Sequence, residues 1–122
     1  MAVVYTSATL SLAALEYFVH LDAADAPTDL IAIPADIPDE VSRSEIAADT
    51  LPPTWRQYPA PQHLGDLGAA WIRAGRTAIL VVPSAIVPQE QNLLLNPAHR
   101  DFRAIRLGTP ESFSFDPRVW KR

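Results

Sequence analysis

Two short aliphatic runs with a polar insert between them constrain this chain more than any other feature. Ile79-Leu80-Val81-Val82 is closed by Pro83, and Leu93-Leu94-Leu95 is closed by Asn96-Pro97. Runs this short, rich in β-branched residues in the first case and bounded by turn-formers, read as fully buried strands. Between them stand Ser84, Gln89, Glu90, Gln91 and Asn92, far more polarity than a plain hairpin needs. A polar cluster held between two core strands is a candidate site.

The 122 residues are enough for one domain with one core, so 1–122 reads as a single unit. No apolar run approaches the roughly 20 residues of a membrane span. The N-terminus lacks the basic region and apolar stretch of a secretory signal. With no cysteine there is no disulfide framework and no thiolate chemistry, and a cytoplasmic setting is expected.

Charge is unevenly placed. Residues 1–50 carry nine acids and one base, Arg43, while the stretch from Arg100 onward carries six bases against Asp101, Glu111 and Asp116. Such a split makes either an anion-binding face or pairs between the two ends, and pairing is the expectation. Only one of the ten bases is lysine and no clustered basic footprint exists, so no direct nucleic-acid contact is expected. His20, His63 and His99 are widely spaced and show no metal-ligand pattern.

Along the chain, Ala2–Tyr5 reads as a strand and Thr6-Ser7 as the N-cap of a helix over Ala8–Leu21. The apolar positions of that helix cover most of its circumference, so it is expected to be largely buried. Glu16 is the exception on that surface, with His20 one turn later. Leu30–Ile33 reads as a strand stopped by Pro34, and residues 35–49 suit short strands or an exposed edge. Leu51–Pro61 holds four prolines around Trp55 and Tyr58, an extended surface loop pinned by aromatics.

Gln62–Ala74 reads as a second helix, with Leu64, Leu67, Trp71 and Ile72 inward and Gly75 as its C-cap. Gly68 in its interior costs about 1 kcal/mol against alanine, so a close packing contact is expected there. Strands over 77–82 and 92–95 follow, then a turn or short helix at Pro97–Phe102. Two half-buried antiparallel strands, 103–107 and 112–116, are read from Ile105 and Leu107 and from Phe113 and Phe115. The fold class is α/β of the α+β kind: a mixed, largely antiparallel sheet with two main helices.

On their residue types alone the site candidates stay open. Glu16 is an ordinary helix glutamate reaching solvent or an arginine, or a carboxylate aimed at a ligand. Tyr5, at a strand end, is either a core tyrosine or a ring facing a ligand. Ser84 is a turn serine or a hydrogen-bonding contact to a ligand; no histidine stands in a context that supports a nucleophilic triad with it. Asn92 and Asn96 bracket the last core strand as turn residues, with Asn92 also open to ligand contact. Arg56 braces the proline loop or binds a phosphate. Trp55, Tyr58, Trp71 and Trp120 read as core and loop anchors.

Three blocks in order carry a family resemblance. They are Y-T-S followed by L-A-A-L-E and a histidine (Tyr5–His20), L-P-P-T-W-R-Q-Y-P-A-P with L-G-x-x-W (Leu51–Trp71), and V-P-S-A-I-V-P-Q-E-Q-N-L-L-L-N-P-x-H-x-D-F (Val82–Phe102). Together with F-x-F-D-x-R at Phe113–Arg118 they resemble the RES domain, whose members are toxins of bacterial RES–Xre toxin–antitoxin systems. The resemblance implies a fold similar to ADP-ribosyltransferase toxins and degradation of NAD, as substrate rather than cofactor, at the nicotinamide–ribose bond, with water or phosphate as acceptor.

It also implies an Xre-type antitoxin partner with a helix-turn-helix and leaves a homodimer possible. Among site residues it implies Tyr5, Glu16 and Ser84 as catalytic, with Tyr5, Ser84 and Asn92 toward the nucleotide. The family's further arginine, in a Gly-Gly-Arg-Trp-like segment ahead of Y-T-S, has no equivalent here. The N-terminal portion of the domain is therefore expected to be missing. An alternative follows from that: an impaired RES-like protein that binds an antitoxin without turnover.

Overall fold

The computed structural model describes residues 2–22, 24 and 26–120. In chain order the elements are β1 (Val4–Ser7), α1 (Leu10–Phe18), β2 (Ile31–Ala32), β3 (Ala35–Asp36), β4 (Arg43–Glu45), α2 (Gln62–Ala74), β5 (Ile79–Pro83), β6 (Gln91–Leu95), β7 (Arg106–Leu107) and β8 (Glu111–Ser112). Four strands form one sheet in the order β1-β6-β5-β4. The pairs β1–β6 and β5–β6 are antiparallel and β4–β5 is parallel. The expected α/β architecture, with a mixed sheet and two helices, is what the chain adopts.

Strand alternation gives this sheet two unlike faces. Ile79, Val81 and Leu95 point to one side, where Val41 and Ala78 complete a buried cluster. Ile37, Phe102 and Ile105 pack over that cluster from the chain's middle and end. Leu80, Val82 and Leu94, one residue out of phase, point to the opposite side. There they floor a cleft walled by α1, the proline-rich loop and α2.

Pro83 is tolerated at the end of a central strand because its missing N–H faces the side where pairing has stopped. The odd positions of β5 bond toward β4: Ile79 N–H donates to the Ser42 carbonyl (3.1 Å), and the Val81 carbonyl accepts from Ile46 N–H (2.9 Å). The β4 ladder ends at Glu45 opposite Val81, two residues before Pro83, so the proline lies beyond the positions that β4 pairs.

Helix α2 matches its sequence boundaries. Pro61 precedes it, and Gly75 closes it in the left-handed conformation (φ 61°) while its N–H donates to the Trp71 carbonyl (3.2 Å). Trp71 anchors the helix through its indole N–H, which donates to Thr77 Oγ1 (3.0 Å). That hydroxyl in turn donates to the Ile79 carbonyl (3.0 Å), tying helix to strand. Gly68 has no close packing contact: a Cβ built there meets nothing within 4 Å, because the residue faces the cleft.

Helix α1 departs from expectation in start, length and burial. Thr6 and Ser7 pair with Leu93 and Asn92 as the end of β1, so the N-cap falls to Thr9, whose Oγ1 accepts from Leu12 N–H (3.1 Å). After Phe18 the chain tightens, with His20 N–H donating to the Tyr17 carbonyl and Leu21 N–H to that of Phe18. Only Leu12 is buried; Leu10, Leu15, Tyr17 and Val19 are exposed. The helix packs along one stripe, and nothing among the described residues covers the rest of its apolar surface.

The late strands form, but as two-residue pieces, and not with each other. β8 pairs with β2 (Ile31↔Ser112) and β7 with β3 (Ala35↔Leu107). Phe115 packs against Phe18 and Trp120, with Phe113 edge-on to Phe115, and the Phe18–Trp120 centroids lie 4.8 Å apart, which closes the chain's end onto α1.

Pairing between the acidic and basic ends is not observed. The described ion pairs, His99–Asp101, Arg100–Asp101 and Arg118–Asp116, all lie within the last quarter of the chain. Asp36 and Arg106 stand opposite in the β3–β7 ladder without closing a pair, and Arg43 donates to the Pro38 and Val41 carbonyls instead. Asp25, Lys121 and Arg122 lie outside the described residues. No described helix is long and apolar enough to cross a membrane.

Two predictions follow from these contacts. A side chain at Gly75 must adopt a left-handed backbone, so Gly75→Ala is expected to lower unfolding free energy by about 1–2 kcal/mol in denaturant melts. Asp101 is held below the usual carboxylate range, first by the side-chain and then the backbone hydrogen bond from Ser42. A lowered folded-state value contributes stability above the unfolded carboxylate pKa of about 3.9 and loses it as pH falls through the folded value. The difference in melting temperature between wild type and Asp101→Asn is therefore expected to be present at neutral pH and to shrink below about pH 4.

Candidate active site

The cleft on the Leu80–Val82–Leu94 face has a volume of about 1200 Å³. Its floor and walls are mostly aliphatic, with Tyr5, Glu16, His20 and Arg56 as the polar groups of interest. A second cleft of about 670 Å³ lies beside it and shares Tyr5, Glu16, His20, Leu21, Val82 and Leu94. Ser7, Tyr17 and Asn92 line that second cleft. Glu16 and Tyr5 therefore stand where two depressions meet.

Tyr5 is not a core tyrosine. It lies opposite Leu94 in the β1–β6 ladder, on the cleft face, and its side chain is left 77% exposed. Glu16 reaches the same face from the middle of α1 and is half-buried. It accepts a hydrogen bond from the Asn92 side-chain amide, whose oxygen accepts from Ser7 Oγ at 2.7 Å. Among the described residues no arginine or lysine pairs with Glu16. The arginine-paired reading of Glu16 thus finds no partner among the described residues.

Ser84 is placed elsewhere. It is fully buried (0% exposed) and lines neither cleft. Its Oγ accepts from Ile86 and Val87 N–H, both at 3.1 Å, while its own N–H donates to the Glu90 carbonyl (2.9 Å). The turn-serine reading describes these contacts: a hydroxyl after proline is engaged in folding the 84–90 turn. The structure brings together Tyr5, Glu16 and Asn92, and leaves Ser84 behind the wall.

The rest of the polar insert is spent on joining elements. Glu90 Oε1 accepts from Thr9 Oγ1 (3.1 Å) at the N-terminus of α1, where a carboxylate also meets the positive end of the helix dipole. Gln91 Nε2 donates to Glu45 Oε1 (3.2 Å) beside β4. Arg56 crosses from the proline-rich loop, its Nε donating to the Ala85 carbonyl (2.8 Å) and Nη2 to that of Ile86 (3.4 Å). It braces the loop, as one of its two readings held, and lines the cleft as well.

Tyr58, expected to pin that loop, is 92% exposed; Trp55 is half-buried and does the anchoring. Their positions in the cleft wall were not legible in the sequence, since an aromatic in a proline-rich segment has the same pattern whether it faces in or out. His20 lines both clefts. Its one signal was its spacing, one turn beyond Glu16 on the same side of the helix. No group of three or more His, Asp or Glu among the described residues is arranged to hold a metal ion.

A two-faced mixed sheet whose open face carries an aromatic ring and a clamped carboxylate defines a small α/β protein with a ligand-sized cleft. Residues 1–116 match the RES domain, and the chain belongs to that family. It is 39% identical to a Prs ADP-ribosylating toxin of Sphingobium sp. (strain YBL2), over 100% of this chain and 77% of the relative. It is 35% identical to a Toxin Res of Yersinia enterocolitica (97% of this chain, 78% of the relative) and 37% identical to one of Photorhabdus laumondii (97% and 76%). The family resemblance drawn from the three sequence blocks is thereby established, and these relatives are named as toxins.

The placement of Ser84 yields a prediction of its own. Ser84→Ala leaves two buried N–H groups without their acceptor, a loss of about 1–3 kcal/mol. Thermal melts are expected to show that loss with or without nucleotide. A variant with unchanged melting behaviour but weakened nucleotide binding would instead mean that the hydroxyl meets the ligand.

Proposed function

We propose that this protein is an NAD-degrading toxin that breaks the nicotinamide–ribose bond in the cleft shared by Tyr5 and Glu16. The observation that carries the reading is a half-buried glutamate on α1, unpaired with any described cation and held by an amide, in a cleft floored by Leu80, Val82 and Leu94. When the bond to nicotinamide breaks, its electron pair leaves with the neutral base and the ribose C1′ becomes electron-poor. A carboxylate beside it stabilises that developing cation, and aliphatic walls reduce the screening between the two charges.

Tyr5 offers an exposed ring at the same place, suited to stacking on a flat aromatic base. Arg56 sets a positive charge in the cleft wall, suited to the pyrophosphate of a dinucleotide. Ser84 and Asn92 act through the wall they build: Ser84 shapes the 84–90 turn, and Asn92 reaches Glu16. With water as acceptor, its oxygen bonds to C1′ and its proton passes to solvent; with phosphate, a phosphate oxygen takes that place. The name of the Sphingobium relative supports the same bond-breaking step, since ADP-ribosylation also begins by separating ribose from a leaving base.

An Xre-type antitoxin carrying a helix-turn-helix is the proposed partner, and cytoplasmic NAD the proposed substrate pool. The exposed Leu15 and Val19, one turn apart on α1, support a protein partner, since an unpartnered apolar patch favours burial. A homodimer would use the same physics.

Purified protein incubated with NAD is expected to release nicotinamide, measured by chromatography. Glu16→Gln keeps the shape but removes the charge, and is expected to cut kcat by about 100-fold or more with a smaller change in KM. Folded protein that releases no nicotinamide would overturn the enzymatic reading. If that protein still co-purified with a helix-turn-helix partner, the binding-only alternative would take its place.

A further inference from the structure

Ser7, Asn92 and Glu16 come from β1, β6 and α1, yet form one hydrogen-bonded string on the cleft side of the sheet. Ser7 and Asn92 are directly opposed in the β1–β6 ladder, so their side chains leave the sheet on the same face. Chemistry fixes the direction of the string. An ionised carboxylate only accepts, so the Asn92 amide must turn its Nδ2 toward Glu16 Oε2. Its Oδ1 then faces Ser7, whose hydroxyl has to donate. Each member orients the next.

We propose that Asn92, itself oriented by Ser7, is a positioning residue for Glu16: it holds Oε2 and leaves Oε1 as the oxygen that meets the substrate's ribose. This rests on the reading of the cleft as the site of NAD cleavage. No other described residue hydrogen-bonds to the Glu16 carboxylate. An unclamped glutamate samples many rotamers, and freezing a side chain of this kind costs up to about 2 kcal/mol. The clamp meets that cost during folding rather than at each encounter with substrate.

The choice of an amide follows from the electrostatics. An arginine or lysine in place of Asn92 would orient the carboxylate equally well but would cancel most of its charge. An amide supplies a donor with no net charge, so the field at the ribose survives. It also explains why Asn92, open to ligand contact on sequence grounds, is largely committed within the protein. One end of its amide is held by Ser7 and the other by Glu16.

The test uses the full chain and two readouts. In nicotinamide release, Asn92→Ala is expected to lower kcat by about 10–100-fold with KM changed much less. Ser7→Ala is expected to show a smaller loss, most of it restored by Ser7→Thr, which keeps the hydroxyl. Asn92→Asp keeps the acceptor for Ser7 but sets a carboxylate against Glu16. The two carboxylates repel and the donor is gone, so kcat is expected to fall at least as far as in Asn92→Ala. Tyr5, Tyr17, His20, Asp22, Arg56 and Tyr58, the other titratable groups lining these clefts, are unchanged in every variant.

The second readout is the side-chain mobility of Glu16 followed by carbon NMR relaxation, which needs no turnover. Losing its donor in Asn92→Ala is expected to raise that mobility, and Ser7→Ala to raise it less. Unchanged mobility in Asn92→Ala overturns the clamp, whatever the activity. A raised KM with kcat preserved in Asn92→Ala also overturns it, by making Asn92 a substrate contact. Wild type that releases no nicotinamide while the mobility rises in Asn92→Ala leaves the clamp standing and removes the NAD reading instead.

Discussion

The antiparallel pairing of β5 with β6 is the constraint from which the rest of the structure follows. Its register sets Ile79 against Leu95 and Leu80 against Leu94, so each strand sends alternate aliphatics to opposite faces. One face is closed by Val41, Phe102 and Ile105 and becomes the core. The other is left for the cleft. A slip of one residue would exchange the two sets and present the core cluster to the cleft. The same pairing decides where Asn92 points, and through it where Glu16 is held.

The polar insert between those strands works as a junction box. Ser84 folds its own turn, Glu90 reaches the N-terminus of α1, Gln91 reaches β4, and the Ala85 and Ile86 carbonyls receive Arg56. A hairpin loop able to hold a helix, a strand and a loop must carry hydrogen-bonding groups in excess of what its turn requires. The surplus polarity is thus partly structural, and only Asn92 among the insert's side chains reaches the cleft's carboxylate. Polar density pointed to the right region without separating the residue that reaches the site from those that assemble its wall.

What the sequence made legible was punctuated locally. Helix α2 lies between Pro61 and Gly75, and β5 and β6 are aliphatic runs ended by proline or asparagine, so their limits could be read closely. What escaped depends on contacts far along the chain. Thr6 and Ser7 look like a helix cap until β6, some 85 positions away, takes them into a ladder. The late strands read as half-buried antiparallel strands, but nothing local says that β2 and β3 claim one each. Ser84 shows the limit most sharply: the sequence places a hydroxyl in the turn, but only the fold decides that it faces inward.

Helix α1 joins these points into one physical problem. Its sequence is apolar almost all round, and its sheet-facing stripe needs only Leu12 and a few neighbours. Glu16 and the exposed Val19 both line the cleft, so a protein covering Val19 would approach its mouth. Covering that face would lower the local dielectric around the carboxylate and could occlude the ligand's path in the same step. Binding energy from an apolar helix face and control of a charged site are then properties of one surface.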